Sequence, residues 1–173
     1  MDQALKTRTY YIPLLALSLL VLVLDRLSKI WVENHIQPGE AITIIPSVFR
    51  ITHVLNFGAA FSLFADSTAP EHVRLFLTIF SAVAILIVLF FFVRLGRRLT
   101  LSSISLALIL AGAIGNLYDR LRFGYVTDFL EVHIVRYHWP DFNIADSAIV
   151  IGACLMFLEL FGSPTPRQDK FEG

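Results

Sequence analysis

The amino-acid sequence predicts a mainly α, integral membrane protein, with four transmembrane helices and, on one side of the membrane, a small β-sheet and a short interfacial helix. Three observations carry that reading. The 173-residue chain is 56% hydrophobic and 16% charged, with mean hydropathy +0.69, whereas about a quarter of a soluble domain is charged. Four apolar runs, at about 11–32, 75–93, 101–118 and 142–161, approach or reach the ~17–25 residues that cross a bilayer. Basic side chains crowd into three short segments, which fixes an orientation.

Those segments are the N-terminal tail with Lys6 and Arg8, the connection with Arg94, Arg97 and Arg98, and the C-terminal tail with Arg167 and Lys170. The tails at 1–10 and 162–173 are therefore expected in the cytoplasm, and the connections at 33–74 and 119–141 on the opposite side. The first run follows basic residues as a secretory signal does. No small-x-small cleavage site follows it, and it continues into Asp25-Arg26-Leu27-Ser28-Lys29, so an uncleaved anchor is expected. The whole chain, 1–173, reads as one membrane domain. Its 14 basic and 14 acidic side chains balance, so no nucleic-acid partner is expected. The single cysteine, Cys154, excludes an intramolecular disulfide and is expected to be a small buried residue.

Taken in order, the first span is leucine-rich, with Tyr10, Tyr11 and Trp31 suited to its two interfaces. Residues 41–45 and 48–55 are β-rich and flank a Pro46-Ser47 turn, predicting a small sheet at the membrane surface. Small residues with spaced aromatics at 57–64 predict a short helix lying in the interface, ended by 66–70. The second span carries only Thr78 and Ser81 as polar side chains and reads as a wall. In the third, Ala107, Ala111 and Gly115 recur every four residues and admit a neighbouring helix. The fourth repeats the device with Ala148 and Gly152, so spans three and four are expected to pack together.

Four aspartates fall at or just beyond the span ends on the sheet side: Asp25, Asp119, Asp128 and Asp146. A charge at the bilayer centre costs about 2.5–3.5 kcal/mol on translocon scales, so such residues are functional candidates. Each also has an ordinary reading. Asp146 fits the third position of a helix capped by Asn143. Asp119 stands at the wrong pole of its helix and has Arg120 beside it, with Asn116 on the same side. Asp128 can be a surface-loop acid, and Asp25 and Lys29 an i, i+4 pair. Two neighbouring carboxyls that share one proton can activate water and protonate a leaving amine. The residues by themselves leave open which acids would pair.

Rival chemistries are poorly supplied. There is no H-E-x-x-H, G-x-S-x-G, phosphate loop or dinucleotide fingerprint. His133 and His138 are five apart, off one helical face, with no third ligand evident, and with His35, His53 and His72 they are expected at solvated or interfacial positions. No metal and no cofactor are expected. A carrier or channel relaying protons would more naturally hold its acids at mid-span. A structural subunit would explain the small-residue rows but not the polar span ends.

The motifs D-R-L-S-K at 25–29, N-F-G-A-A-F-S at 56–62, G-N-L-Y-D-R at 115–120, T-D-F at 127–129 and F-N-I-A-D-S-A at 142–148, in this order, resemble the lipoprotein signal peptidases, or signal peptidase II, of bacteria over essentially the whole chain. The resemblance implies a membrane aspartic endopeptidase with Asp128 and Asp146 as catalytic dyad. It implies supporting roles for Asp25, Lys29, Asn56, Gly58, Asn116, Asp119, Arg120, Asn143 and Ala145. Phe57 stands where Thr is common in the family, and Thr127 where an aliphatic residue usually precedes the acid. The implied substrates are diacylglyceryl-modified prolipoproteins, cut before the lipidated cysteine. The implied setting is the bacterial inner membrane, with lipids as neighbours, the site toward the periplasm, and the enzyme a monomer.

Overall fold

The structure, a computed structural model, describes residues 9–58, 70–135 and 137–162. Among these residues, four helices are long and apolar enough to cross a membrane. They are α1 (Tyr11–His35), α2 (Pro70–Leu95), α3 (Leu101–Arg122) and α4 (Ile144–Gly162). Their ends on the sheet side run past the apolar runs, since α1 continues to His35, α2 starts at Pro70 and α3 continues to Arg122. Most polar residues of these added turns, Asn34, His35, Glu71, His72, Arg74 and Arg122, are exposed, while Glu33, Asp119 and Arg120 turn inward. The short helix expected at 57–64 lies outside the described residues apart from Phe57 and Gly58.

Helix α3 is the hub, packing against α1, α2 and α4, and it is the most buried of the four. Thr100 starts it: the Thr100 hydroxyl accepts from Ser103 N at 3.1 Å, and Ser103 Oγ accepts from Thr100 N at 2.9 Å. On α1 the buried residues Leu14, Ser18, Asp25, Lys29 and Val32 follow helical spacing, a single stripe turned inward. Ser18 Oγ donates to Ala107 O at 2.8 Å across the α1–α3 contact. Helix α2 is a wall, as its composition predicts: Leu77 and Phe92 are buried while Phe76, Phe80, Leu86 and Phe90 are exposed to the lipid side. Cys154 is exposed on α4, contrary to the buried position expected, because α4 turns only one narrow face to α3.

Spans three and four do pack together. The residue that admits α4 most closely is Gly112, which the row Ala107, Ala111, Gly115 skips. A Cβ on Gly112 would lie 2.2 Å from Ala145 O, and one on Gly152 would lie 2.8 Å from Ser105 O. Two backbones therefore touch where membrane helices use small residues to approach. Gly115 serves both neighbours, since its Cβ would meet Asp25 Oδ2 at 3.1 Å and Ala145 Cβ at 3.4 Å.

The sheet has four strands, β1 (Ala41–Ile45), β2 (Phe49–Asn56), β3 (Val126–Ile134) and β4 (Tyr137–Phe142), in that spatial order and antiparallel throughout. Two strands were expected, with 119–141 as a connection. Strand β3 escapes recognition because it is buried over Val126–Phe129 on both faces, so polar Thr127 and Asp128 stand among apolar residues without alternation. Strand β4 carries Pro140, which an edge position tolerates. The β3–β4 hairpin leads directly from Asp128 to Asn143 and α4.

Replacing Gly112 by Ala should cost about 1–3 kcal/mol, the range for overpacking a filled contact. The thermal midpoint of the detergent-solubilised protein is expected to fall, and an unchanged midpoint would mean that α3 and α4 stand farther apart than described.

Candidate active site

The site begins with a buried cation. Lys29 is fully buried on α1, with Nζ 2.8 Å from Asp25 Oδ2 and 2.6 Å from Asp119 Oδ2 on α3. Each carboxylate is itself nearly inaccessible. Such a group is tolerated only when paired and hydrogen-bonded. Asp25 uses its other oxygen, Oδ1, to accept from Ala145 N at 2.9 Å, one of the orphan donors of the first turn of α4. One three-residue cluster thus fixes α1, α3 and α4 together. Arg26 lies beside it, 3.6 Å from Asp119 Oδ1 and 3.3 Å from Glu33, and Glu33 accepts from the Thr127 hydroxyl at 3.0 Å.

Two asparagines, Asn116 and Asn143, connect this cluster to the remaining acids, and a third, Asn56, holds Asp128. Asn116 Oδ1 faces Lys29 Nζ at 3.4 Å, and its Nδ2 donates to Asp146 Oδ1 at 2.8 Å. Asn143 caps α4: its Oδ1 accepts from Asp146 N at 2.8 Å, while Asn143 N donates to Asp146 Oδ2 at 3.3 Å. The Asn143 amide also donates to Asp128 Oδ1 at 2.7 Å. Asn56 Nδ2 donates to Asp128 Oδ2 at 2.8 Å, made possible by the β2–β3 register, in which Asn56 opposes Val126 and Val54 opposes Asp128. Gly58 N donates to Asn56 Oδ1 at 2.9 Å, and Arg120 Nη2 donates to Gly58 O at 3.3 Å.

Asp128 and Asp146 line one cavity of about 510 Å³ together with Asn56, Asn116 and Arg120. The rest of its wall is largely apolar, from Val126, Trp139 and Phe142 to Ile149 and Val150 of α4. Asp128 lies on β3, outside the spanning helices. Burial, then the nearby Asp146 charge, pushes its carboxyl up to about 7, against the opposite pull of the Asn56 and Asn143 amides.

All eleven residues named from the sequence therefore lie in one connected network. Two details differ from expectation. Asp119 is paired by Lys29 rather than by its neighbour Arg120, which points instead to Gly58 and the cavity. Asp25 and Lys29 form a buried bridge rather than a simple interfacial i, i+4 pair, since both belong to the inward stripe of α1. His53 is buried too, bonded through Nδ1 to Ile36 O at 2.7 Å. Sequence reasoning missed the Arg26–Glu33–Thr127 chain and the cavity residues Trp139, Asp141 and Phe142. Helical spacing from Arg26 to Glu33 was the available signal for the first; the second required knowing that β4 folds back on β3.

A sequence profile described as Signal peptidase (SPase) II matches residues 17–162. The chain is 45% identical over 148 residues to a lipoprotein signal peptidase of Pseudomonas fluorescens (strain Pf0-1), covering 85% of this chain and 86% of that protein. It is 46% identical over 148 residues to a lipoprotein signal peptidase of Moorella thermoacetica, covering 86% and 92%. A solved structure described as a bacterial membrane enzyme superposes with a TM-score of 0.81 at 27% identity, covering 94% of this chain and 96% of that one.

Removing Lys29 would leave two buried carboxylates facing each other. Lys29→Met is expected to destabilise the protein by about 3–5 kcal/mol, the cost of breaking a buried pair from one side. Chemical unfolding in micelles measures it; a loss under about 1 kcal/mol, typical of an exposed pair, would overturn this account.

Proposed function

The chain belongs to the signal peptidase II family, whose members are aspartic peptidases, and from that membership we propose the following activity. The protein removes the signal peptide from diacylglyceryl-modified prolipoproteins by cleaving just before the lipidated cysteine, with Asp128 and Asp146 as the catalytic pair. The observation that carries this reading is that the two carboxyls line one cavity and are held by three neutral amides, with Asp128 pushed up to about 7. A pair so placed holds one shared proton near neutral pH and titrates as a unit.

In the reaction, the ionised member takes a proton from a water molecule as that oxygen attacks the scissile carbonyl carbon. The protonated member gives its proton to the carbonyl oxygen as negative charge develops there. When the tetrahedral intermediate collapses, the carbon–nitrogen bond breaks. The carbonyl oxygen returns its proton to one aspartate, and the proton taken from water leaves on the new amine, so the pair ends as it began. Arg120 holds the backbone at Gly58 against the cavity rim.

A membrane-embedded substrate suits the apolar wall. Val150 and Ile151 line the cavity and are also exposed on the lipid-facing surface of α4, so the cavity is continuous with that surface. The positive-inside distribution puts both termini in the cytoplasm and the sheet end, with the site, on the periplasmic side of the inner membrane. The enzyme works as a monomer in this proposal, in which the two acids and the three amides that hold them, among the described residues, belong to one chain.

Asp128→Asn and Asp146→Asn should each abolish cleavage in reconstituted membranes. The parent enzyme should cut a diacylglyceryl-modified precursor and spare the unmodified one. Substantial cleavage by either variant, or equal cleavage of both precursors by the parent, would sink the mechanism.

The pH dependence follows from the sign of the Asp128 shift. Above the upper apparent value of the pair the shared proton is lost, so kcat/KM should decline as pH rises through about 7. The folded value stands above the ordinary 3.8, so stability also falls as pH rises from about 4 through about 7. Asn56→Ala removes a donor that favours the ionised form and should move the alkaline limb of the rate profile upward. A limb that stays in place would separate Asn56 from the titration of the pair.

A further inference from the structure

Away from the cavity, the β3–β4 hairpin assembles a second cluster. His133 and His138 are register partners across the two strands, and Glu131 stands two residues before His133, on the same face of β3. His133 Nε2 lies 2.9 Å and His138 Nε2 lies 2.7 Å from the same carboxylate oxygen, Glu131 Oε1, and the three ligand atoms lie within 4.8 Å of one another. The pairing that sequence spacing hides is therefore a matter of strand register, and Glu131 supplies a third candidate donor. Glu131 is buried, His133 half-buried and His138 open to solvent, so an ion has a protein floor and a free approach.

We propose that Glu131, His133 and His138 form a binding site for a divalent transition-metal ion of the zinc class. Two imidazoles and one carboxylate are the donor set that suits zinc, copper or nickel rather than magnesium or calcium. The fourth position would be taken by water, as in a three-ligand zinc site. With ligands about 2.0–2.1 Å from a tetrahedral ion the donor atoms stand about 3.3 Å apart, so each imidazole must withdraw by roughly half an ångström. Half-exposed side chains on a hairpin can make that adjustment.

Hydrogen bonding around Glu131 favours the ion as well. Oε1 has two lone pairs, yet Arg50 Nη2 at 2.6 Å and both histidine Nε2 atoms converge on it. Three donors cannot all be well directed at one such oxygen. An ion between the imidazoles and Oε1 replaces two of them with coordination, while Arg50 keeps its bond to Oε2 through Nε. The opposing effect is repulsion between the ion and the Arg50 guanidinium. Arg50 is 41% exposed, so solvent and salt screen that repulsion.

The place of the site gives it a consequence. Glu131 is three residues beyond Asp128 on β3, and β4 runs from His138 to Phe142, directly into Asn143 and Asp146. An ion clamps β3, which carries Asp128, to β4, which leads into Asn143 and the start of α4 with Asp146.

The test uses the full-length enzyme in nanodiscs after removal of any histidine tag, with zinc as probe in equilibrium dialysis. One saturable ion per chain is expected, together with a raised thermal midpoint. His133→Ala/His138→Ala should weaken binding by more than about tenfold, the loss that even an outer-shell change can cause, and should abolish the thermal shift. Asp128→Asn should keep the ion, which separates this site from the acids of the cavity. Retained cleavage of a modified precursor reports that the double variant is folded; if it is not, the single, exposed His138→Gln takes its place. No saturable zinc in the parent, undiminished binding in the histidine variants, or binding lost in Asp128→Asn would each overturn the proposal.

Discussion

Burying one ammonium between two carboxylates constrains everything else in this molecule. Lys29 reaches Asp25 and Asp119 at 2.8 and 2.6 Å from within a fully buried position. In a low-dielectric setting neither sign survives alone, so the three side chains must come together or the chain must not fold. Because Asp25 also holds Ala145 N, the start of α4 is tied to α1 at the same point. Close contact at Gly112 and Gly115 then follows, since α3 and α4 can bring their polar ends to one cluster only by letting their backbones touch.

Around that cluster the candidate site is built in layers of decreasing charge. Asn116 faces Lys29 on one side and Asp146 on the other, and Asn143 faces Asp146 and Asp128. Asn143 is a helix cap and a candidate site residue in one side chain: its Oδ1 completes the first turn of α4, and its Nδ2 steadies Asp128. A capping change here would therefore move both the helix end and the acid, and the two effects share one geometry.

Much of this was legible in the sequence because membrane helices announce themselves by length and because polar residues at their ends have few explanations. Asp25, Asp119, Asp128 and Asp146 stood out on that ground, with Lys29 four residues from Asp25, and Asn116 and Arg120 beside Asp119, as separate groups. Physical reasoning left the partner of Asp146 open, and the family motifs chose Asp128. Strand β3 was not legible: Val126–Phe129 is buried on both faces, so the alternation that marks a half-buried strand is absent. Without β3 there was no register, and without register His133, His138 and Glu131 were three unrelated residues. Gly112 was passed over for a related reason. A four-residue row selects one side of a helix, whereas α3 has neighbours on three sides.

The interposed amides also answer an electrostatic problem. A cation in direct contact with either Asp128 or Asp146 would favour ionisation and remove the shared proton on which an aspartic mechanism depends. Lys29 is held short of the pair, with its closest contacts on Asp25 and Asp119 and a longer 3.4 Å approach to Asn116, and Arg120, which lines the cavity, donates to Gly58 O. For Asp128, the downward pull of Lys29 is outweighed by burial and by Asp146. Neutral asparagines pass on the orientation of the buried cluster while keeping its cation out of direct contact with the pair. On the proposed mechanism, the same bundle can then use a lysine to lock its helices and still leave a proton on the Asp128–Asp146 pair.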